Sequence, residues 1–309
     1  MCCLFGLLDY SHSLTSRQKS RMLSALAAAS EARGTDATGI AFNSNGRLRV
    51  YKRPVAGHRM KFRVPEDADF IIGHTRMKTQ GDAKINYNNH PFTGAAAQGP
   101  FALAHNGVIY NDKTLRKSLR LPDTKIETDS FVAVQLLEQK KSLNADSLKY
   151  MAEQLEGSFT FTVLDGRDSF YLVKGDSPMC IYQFPGMGLY LYASTEEILQ
   201  NAMKRMPQLF GPFYRLPLDC GEILQIDRQG CRSLSKFDDS NLYLSCYHPL
   251  WYPCGHSVRH RKSEEDHSYL EELKSVAGAF GYDPDTLDEM YDVGFTPEEL
   301  EEYLYSGEL

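Results

Sequence analysis

Cys2 directly follows Met1. With Met1 removed, this one residue carries both a thiol and a free α-amine, a nucleophile and a base together. An α-amine titrates near ~8 and a cysteine thiol near ~8.5, so proton transfer between them is almost balanced close to neutral pH. A cysteine at a second position is usually inert, so the position alone does not establish catalysis. A second group with ligand chemistry lies far along the chain. Cys246-x-His248 and Cys254-x-His256 have the spacing of thiolate and imidazole ligands for zinc. They lack a tight CxxC pair, and an ordinary aromatic loop is the plainer reading. No cofactor is called for.

The chain that must position these groups has 309 residues and a formal charge of −6, with 42% hydrophobic and 24% charged residues. That is an ordinary globular composition with enough length for a sizeable core. No apolar run approaches the ~18–20 residues of a membrane helix. The first residues lack the basic segment of a secretory leader. Seven cysteines are odd in number and sparse, which disfavours a disulfide framework and fits a reducing cytoplasm. The charge is uneven: residues 264–309 hold fifteen Asp/Glu and one Lys, a net of −14, and the rest of the chain is +8. The basic body has no stripe with interleaved aromatics, so nucleic-acid binding is not indicated. The acidic end reads first as a solvated helical surface, second as a docking face for a basic partner.

Periodicity supplies the elements. Residues 2–8 read as a buried strand. Ser16 to Arg33 is helical, with Met22, Leu23, Leu26 and Ala29 at helical spacing. Strands are expected over Gly39–Asn43 and Arg47–Lys52, across an Asn45-Gly46 turn, and over Asp69–Gly73. Residues 77–100 read as a long loop, followed by a strand Phe101–His105. Helices follow at Asp112–Ser118, Thr128–Lys140 and Asp146–Leu155. Strands over 158–192 and Glu222–Ile226 flank a helix Thr195–Met206 capped by Thr195. This order lacks regular βα alternation, and sheets sandwiched between helices fit better. The expected division is residues 1–235 as the main domain, 236–268 as an irregular linker and 269–309 as an acidic helical tail.

Several short motifs occur in order: Cys2-Cys3-Leu4-Phe5-Gly6, Arg33-Gly34-Thr35-Asp36-Ala37-Thr38-Gly39-Ile40, Gly73-His74-Thr75-Arg76 and Asn89-His90-Pro91. His105-Asn106-Gly107-Val108-Ile109-Tyr110-Asn111, Glu127-Thr128-Asp129, Glu156-Gly157-Ser158-Phe159 and Ala193-Ser194-Thr195-Glu196-Glu197 follow. Together they resemble the class II glutamine amidotransferases, the N-terminal-nucleophile glutaminase domains of amidophosphoribosyltransferase and glucosamine-phosphate synthase. The resemblance spans roughly residues 2–230. It implies an α+β fold, a four-layer αββα sandwich of the N-terminal-nucleophile hydrolase type, here with a small acidic helical C-terminal extension.

The resemblance also implies roles. Cys2 would attack the side-chain amide of L-glutamine. The Asn106 side chain and the Gly107 N–H would hold the oxyanion, although Asn-Gly alone is equally a hairpin-turn signal. Arg76, with Thr75 beside it, would bind the substrate carboxylate, since a guanidinium fork matches it. Asp129 would take the α-ammonium. Asp36, Asn111 and His74 would support the site, and His90 and His105 are read as structural. The loop around 77–94 would close over glutamine. Two departures stand out: Cys3 replaces a usual glycine, and Met77 a frequent aromatic.

No phosphoribosyl-binding or sugar-isomerase domain is recognised after residue 235. The acceptor site is therefore either on a separate subunit or absent, and the expected partner is a separate synthase or acceptor-binding subunit that takes the ammonia. The competing classes are an amidase of the same fold with another amide substrate, and a non-catalytic interaction protein.

Overall fold

Alternating side chains along the first strand set the architecture. The structure, a computed structural model, describes residues 2–243, 264–277, 283–293, 300 and 304. The chain divides into two units, Met1–Ser245 and Cys246–Leu309. The first unit begins with β1 (Cys3–Asp9), α1 (Ser16–Ala29), β2 (Ala37–Ser44), β3 (Arg47–Arg53), β4 (Phe70–Arg76), β5 (Phe92–Ala96) and β6 (Gly99–Ile109). Helices α2 (Asp112–Ser118), α3 (Phe131–Lys140) and α4 (Ala145–Gln154) come next. Then follow β7 (Gly157–Asp165), β8 (Phe170–Lys174), β9 (Cys180–Phe184), β10 (Leu189–Ala193), α5 (Glu196–Met203), β11 (Tyr214–Arg215), β12 (Glu222–Ile226), β13 (Arg232–Lys236) and the single-turn α6 (Ser240–Tyr243).

The strands form two antiparallel sheets. One has seven strands in the order β11-β9-β10-β1-β4-β2-β3, the other six in the order β13-β12-β8-β7-β6-β5. On β1, Cys3, Phe5 and Leu7 face a core shared with α1 and α5, whereas Leu4 and Leu8 enter the core between the sheets. That middle core meets Ala102, Ala104, Leu164 and Leu172 of the second sheet. The outer face of the second sheet packs on α3 and α4 through Phe101, Leu103, Val134, Leu137, Leu148 and Met151. Helix, sheet, sheet and helix are thus stacked in four layers, each apolar face covered by the next. A buried leucine or phenylalanine contributes about 1.5–3 kcal/mol of burial.

Local signals explain most boundaries. Thr15 caps α1 in a reciprocal capping box with Gln18. Asn45 and Gly46 take φ of 51° and 67°, the left-handed pair that a two-residue hairpin needs. The long loop expected over 77–100 is interrupted by β5, which pairs Phe92 with Leu103 and Ala96 with Gly99. The strand expected to stop at His105 runs on to Ile109, because Asn106, Gly107 and Val108 pair with Thr160, Phe159 and Ser158. Asn106-Gly107 is therefore not a hairpin turn. The helix expected from Thr128 starts at Phe131, leaving Asp129 outside it.

Part of the stretch read as an irregular linker is helical, at Ser240–Tyr243 and from Glu264. In the second unit, α7 (Glu264–Ala277) and α8 (Pro284–Val293) share a small core of Leu270, Leu273, Ala277, Leu287 and Tyr291 with Leu300 and Leu304. The zinc candidates Cys246, His248, Cys254 and His256 lie outside the described residues. Among the described residues no cluster could hold a metal ion, and no helix is long and apolar enough to cross a membrane.

Candidate active site

Strand pairing delivers the candidate residues to one place. Cys3 pairs with Thr75, so the start of β1 lies beside the end of β4, where Arg76 and Met77 stand. A pocket there is bordered by Cys2, Arg76, Gly107 and Asp129, with His90 and His105 also on its wall. It encloses about 10 Å³, room for about one water molecule.

The Cys2 thiol lies 3.5 Å from the Met77 carbonyl oxygen, and the Cys2 carbonyl accepts from Arg33 Nε at 2.9 Å. Burial pushes the thiol up to about 11, against a smaller downward pull from the Met77 backbone and the Arg76 guanidinium. The thiol form therefore dominates at neutral pH, and a base is required to activate it. Cys3 faces the other way, into the core under α1, fully buried. Its thiol donates to the Leu4 carbonyl at 3.3 Å, and burial raises its pKa too. The extra side chain thus neither fills the pocket nor offers it a second nucleophile.

Arg76 is 3% exposed. Its Nη1 donates to Asn89 Oδ1 at 2.7 Å, and its Nη2 donates to the Gln80 and Gly81 carbonyls at 2.5 and 3.0 Å. The fork is thus occupied by its own loop. Asp36 supports the same loop from outside, accepting the Lys78 N–H at 2.7 Å. Asp129 borders the same pocket; its Oδ2 accepts the Ile109 N–H at 2.7 Å, and its Oδ1 accepts from the Ser130 hydroxyl at 3.3 Å. A carboxylate has about four lone-pair sites, so Asp129 keeps acceptor capacity.

Gly107 has φ +139°, and a Cβ there would lie 1.9 Å from the Ser158 carbonyl oxygen. Only glycine fits that approach. Asn106 is buried next to it, its Nδ2 3.4 Å from Ser194 Oγ. Ser194 Oγ also accepts the Leu4 N–H at 2.8 Å, and the Ser194 N–H donates to the Leu4 carbonyl at 2.9 Å. Ser194 was not among the expected site residues, although its Ala-Ser-Thr-Glu-Glu segment was legible as a motif.

Asn106 and Asp36 do not line the pocket, and three further expected residues also stand apart from it. Thr75 points to the opposite face of β4, donating to the Ser30 carbonyl at 3.1 Å. Asn111 ties β6 to α4, through Gln154 O at 2.9 Å and the Glu156 N–H at 3.1 Å. His74 bridges the sheets, with Nε2 2.9 Å from the His105 carbonyl. A carbonyl only accepts, so Nε2 carries the hydrogen. Burial holds His74 down to about 3, and lowers His90 and His105 as well. All three are neutral at physiological pH and unsuited to act as charged acids. Both ring nitrogens of His90 and Nε2 of His105 lack a hydrogen-bond partner among the described residues.

Residues 74–201 match the family described as glutamine amidotransferase domain. Glutamine–fructose-6-phosphate aminotransferase of Streptococcus pyogenes is 32% identical over 160 residues, 49% of this chain and 26% of that protein. The enzyme of that name from Sulfurisphaera tokodaii is 34% identical over 160 residues, 49% of this chain and 27% of that protein. The aligned part thus spans about a quarter of these curated relatives. Among solved structures, glutamine phosphoribosylpyrophosphate amidotransferase from B. subtilis superimposes with a TM-score of 0.61 at 18% identity, covering 89% of this chain and 58% of that one. The allosteric regulatory enzyme of purine biosynthesis gives 0.61 at 19%, covering 77% and 49%. These two share the fold. Residues 74–201 are thus similar to a glutamine amidotransferase domain, and the sequence similarity to these relatives covers about half of the chain.

Proposed function

We propose that this chain hydrolyses the side-chain amide of L-glutamine through Cys2 and passes the ammonia to an acceptor site on a separate synthase subunit. The observation that carries the reading is the convergence of Cys2, Arg76, Gly107 and Asp129 on one pocket. A cation and an anion on one pocket suit an amino acid with both ends free, leaving its amide toward the thiol. An amide substrate lacking either end would need only one of them.

In this reading Met1 is removed, and the α-amine of Cys2 takes the thiol proton as sulfur attacks the amide carbon. The oxyanion is met by one N–H of the Asn106 side chain, the other being directed to Ser194, and by the Gly107 N–H. The protonated amine then donates to the departing nitrogen. Ammonia leaves and a γ-glutamyl thioester forms. Water attacks the thioester and releases glutamate, restoring the thiol. The substrate carboxylate displaces the Gln80 and Gly81 carbonyls from Arg76, so loop 77–83 opens for entry and closes around the ligand. The chemistry belongs to residues 1–235, and the free cysteines fit a cytoplasmic setting.

The test is glutamate release from glutamine by native protein, with intact mass reporting the mature N-terminus. Release by a chain beginning at Cys2, abolished by Cys2→Ala, supports the reading. Release that survives Cys2→Ala, or a mature protein that keeps Met1, overturns it.

A further inference from the structure

A cavity larger than the one at Cys2 lies elsewhere in the first unit. It follows the end of β3, the edge strand of the seven-stranded sheet, and encloses about 690 Å³. That is within the ~300–1,000 Å³ range of small-molecule sites. Tyr51, Lys52, Arg53, Lys84, Asn86 and Thr93 are among the residues that line it. No carboxylate lines it. The surrounding stretch 47–63 carries seven Lys/Arg and no Asp or Glu.

Among the described residues these cations have no counter-charge: Lys52, Arg53 and Lys84 form no ion pair. The Arg53 guanidinium rests over the Tyr51 ring at 5.5 Å, which holds it at the wall. Lys52 is partly buried, and its ammonium donates to the Asn89 and Pro91 carbonyls at 2.5 and 3.0 Å. Both acceptors are neutral, so the charge is solvated but not balanced. Burial, with the nearby Arg76 guanidinium, brings Lys52 down to about 8. Like charges gathered on a concave surface are unfavourable unless an anion joins them.

We propose that this groove binds a small phosphorylated molecule, with Arg53 and Lys84 gripping the phosphate, Lys52 adding charge from the floor, and the Val50, Tyr51 and Val55 side taking the less polar part. A phosphate dianion matches clustered cations better than a single carboxylate. Asn86 and Thr93 supply neutral polar groups at the same opening. The cavity's volume favours a compact ligand over an extended acidic segment.

The site also touches the pocket around Cys2 through a single residue. Lys52 binds the backbone oxygen of Asn89, and Arg76 binds its side-chain oxygen at 2.7 Å. An anion in the groove offsets the repulsion that Lys52 exerts on Arg76. Any effect on glutamine use rests on the function proposed above, whereas binding itself does not.

The experiment therefore reads binding. Inorganic pyrophosphate is titrated into the full chain without glutamine, followed by calorimetry and amide chemical shifts. Saturable binding that weakens at least tenfold in Arg53→Glu/Lys84→Glu supports the proposal. Arg53→Gln/Lys84→Gln is measured beside it, so that a variant with an altered melting curve does not decide the matter. Unchanged affinity in the folded double variant, or no saturable response to pyrophosphate, overturns it. Two further arms address other occupants. Co-sedimentation with phosphatidic acid vesicles without binding of free pyrophosphate would make the phosphate source a lipid headgroup and reject the small molecule. Poly-glutamate binding as tightly as pyrophosphate would reject it in favour of an acidic peptide.

Discussion

Ser194 Oγ stands between the Leu4 N–H, at 2.8 Å, and the Asn106 amide nitrogen, at 3.4 Å. One hydroxyl thus ties the nucleophile's strand to the residue assigned to the oxyanion. Ser194→Ala leaves a buried N–H without its acceptor, costing about 1–3 kcal/mol of stability. It also frees Asn106 to turn. The expected result is a fall in kcat of roughly tenfold with little change in KM, since the interaction matters once charge develops. Glutaminase kinetics alongside a thermal melt distinguish this from a purely structural loss, which would lower the melting temperature and leave kcat intact.

Arg76→Lys tests the carboxylate clamp. Lysine keeps the charge but loses the planar fork. KM for glutamine is expected to rise about 10–100-fold, corresponding to roughly 1.4–2.8 kcal/mol. The loop carbonyls of Gln80 and Gly81 also lose a shared donor, so proteolysis near residue 80 is expected to quicken. A KM equal to that of native protein would remove Arg76 from substrate binding.

The histidines make stability fall with acid. His74, His90 and His105 have pKa values below their ordinary value because burial disfavours the charged ring, His74 at about 3. Above pH ~6.5 folded and unfolded chains are both neutral at these rings. Below it the unfolded chain takes up protons that the folded chain refuses. Stability contributed above pH ~6.5 is therefore lost toward lower pH, at up to about 1.4 kcal/mol per pH unit for each histidine. Melting temperatures from pH 7 to 4 check this, and His90→Gln is expected to flatten the slope.

The thiol of Cys2 is expected to react slowly at neutral pH. With its pKa pushed up to about 11, iodoacetamide labelling of Cys2 is expected to rise about tenfold per pH unit from pH 8 to 10. Peptide mass spectrometry reads the rate, with exposed Cys231 as the accessibility control. Equal labelling at pH 7 and 10 would mean a preformed thiolate and would contradict the geometry. The same shift predicts that stability from this group is present below pH ~9 and lost as the pH rises through about 11.

Gly107→Ala is the severe substitution. The positive φ and the 1.9 Å approach to Ser158 O together predict a loss of roughly 3 kcal/mol or more. Soluble yield and a urea melt provide the measure.

What was legible in the sequence follows from how far each signal reaches. The α5 cap at Thr195 and the turn at Asn45-Gly46 are decided by neighbours in the chain, and both were readable. Asn106-Gly107 shows the limit. Locally it is a turn signal, but pairing with β7 on one side and β5 nearby holds β6 extended through it. β5 itself, Phe92-Thr93-Gly94-Ala95-Ala96, has few β-formers, and its partner makes it a strand. Thr75 could have been excluded by period two alone, since Arg76 and His74 share the opposite face of β4. Ser194 required three-dimensional placement, because its partners are Leu4 and Asn106.

A guanidinium already satisfied by its own loop is a competitor as well as a receptor. In the proposed reading Arg76 gives up two hydrogen bonds, to the Gln80 and Gly81 carbonyls, before it can bind a carboxylate. Simple anions such as chloride or acetate offer too little in return, whereas a ligand that also meets Asp129 recovers the loss there. On the proposed function, discrimination against short acids would lie in the backbone of residues 80 and 81, without any side chain devoted to refusing them.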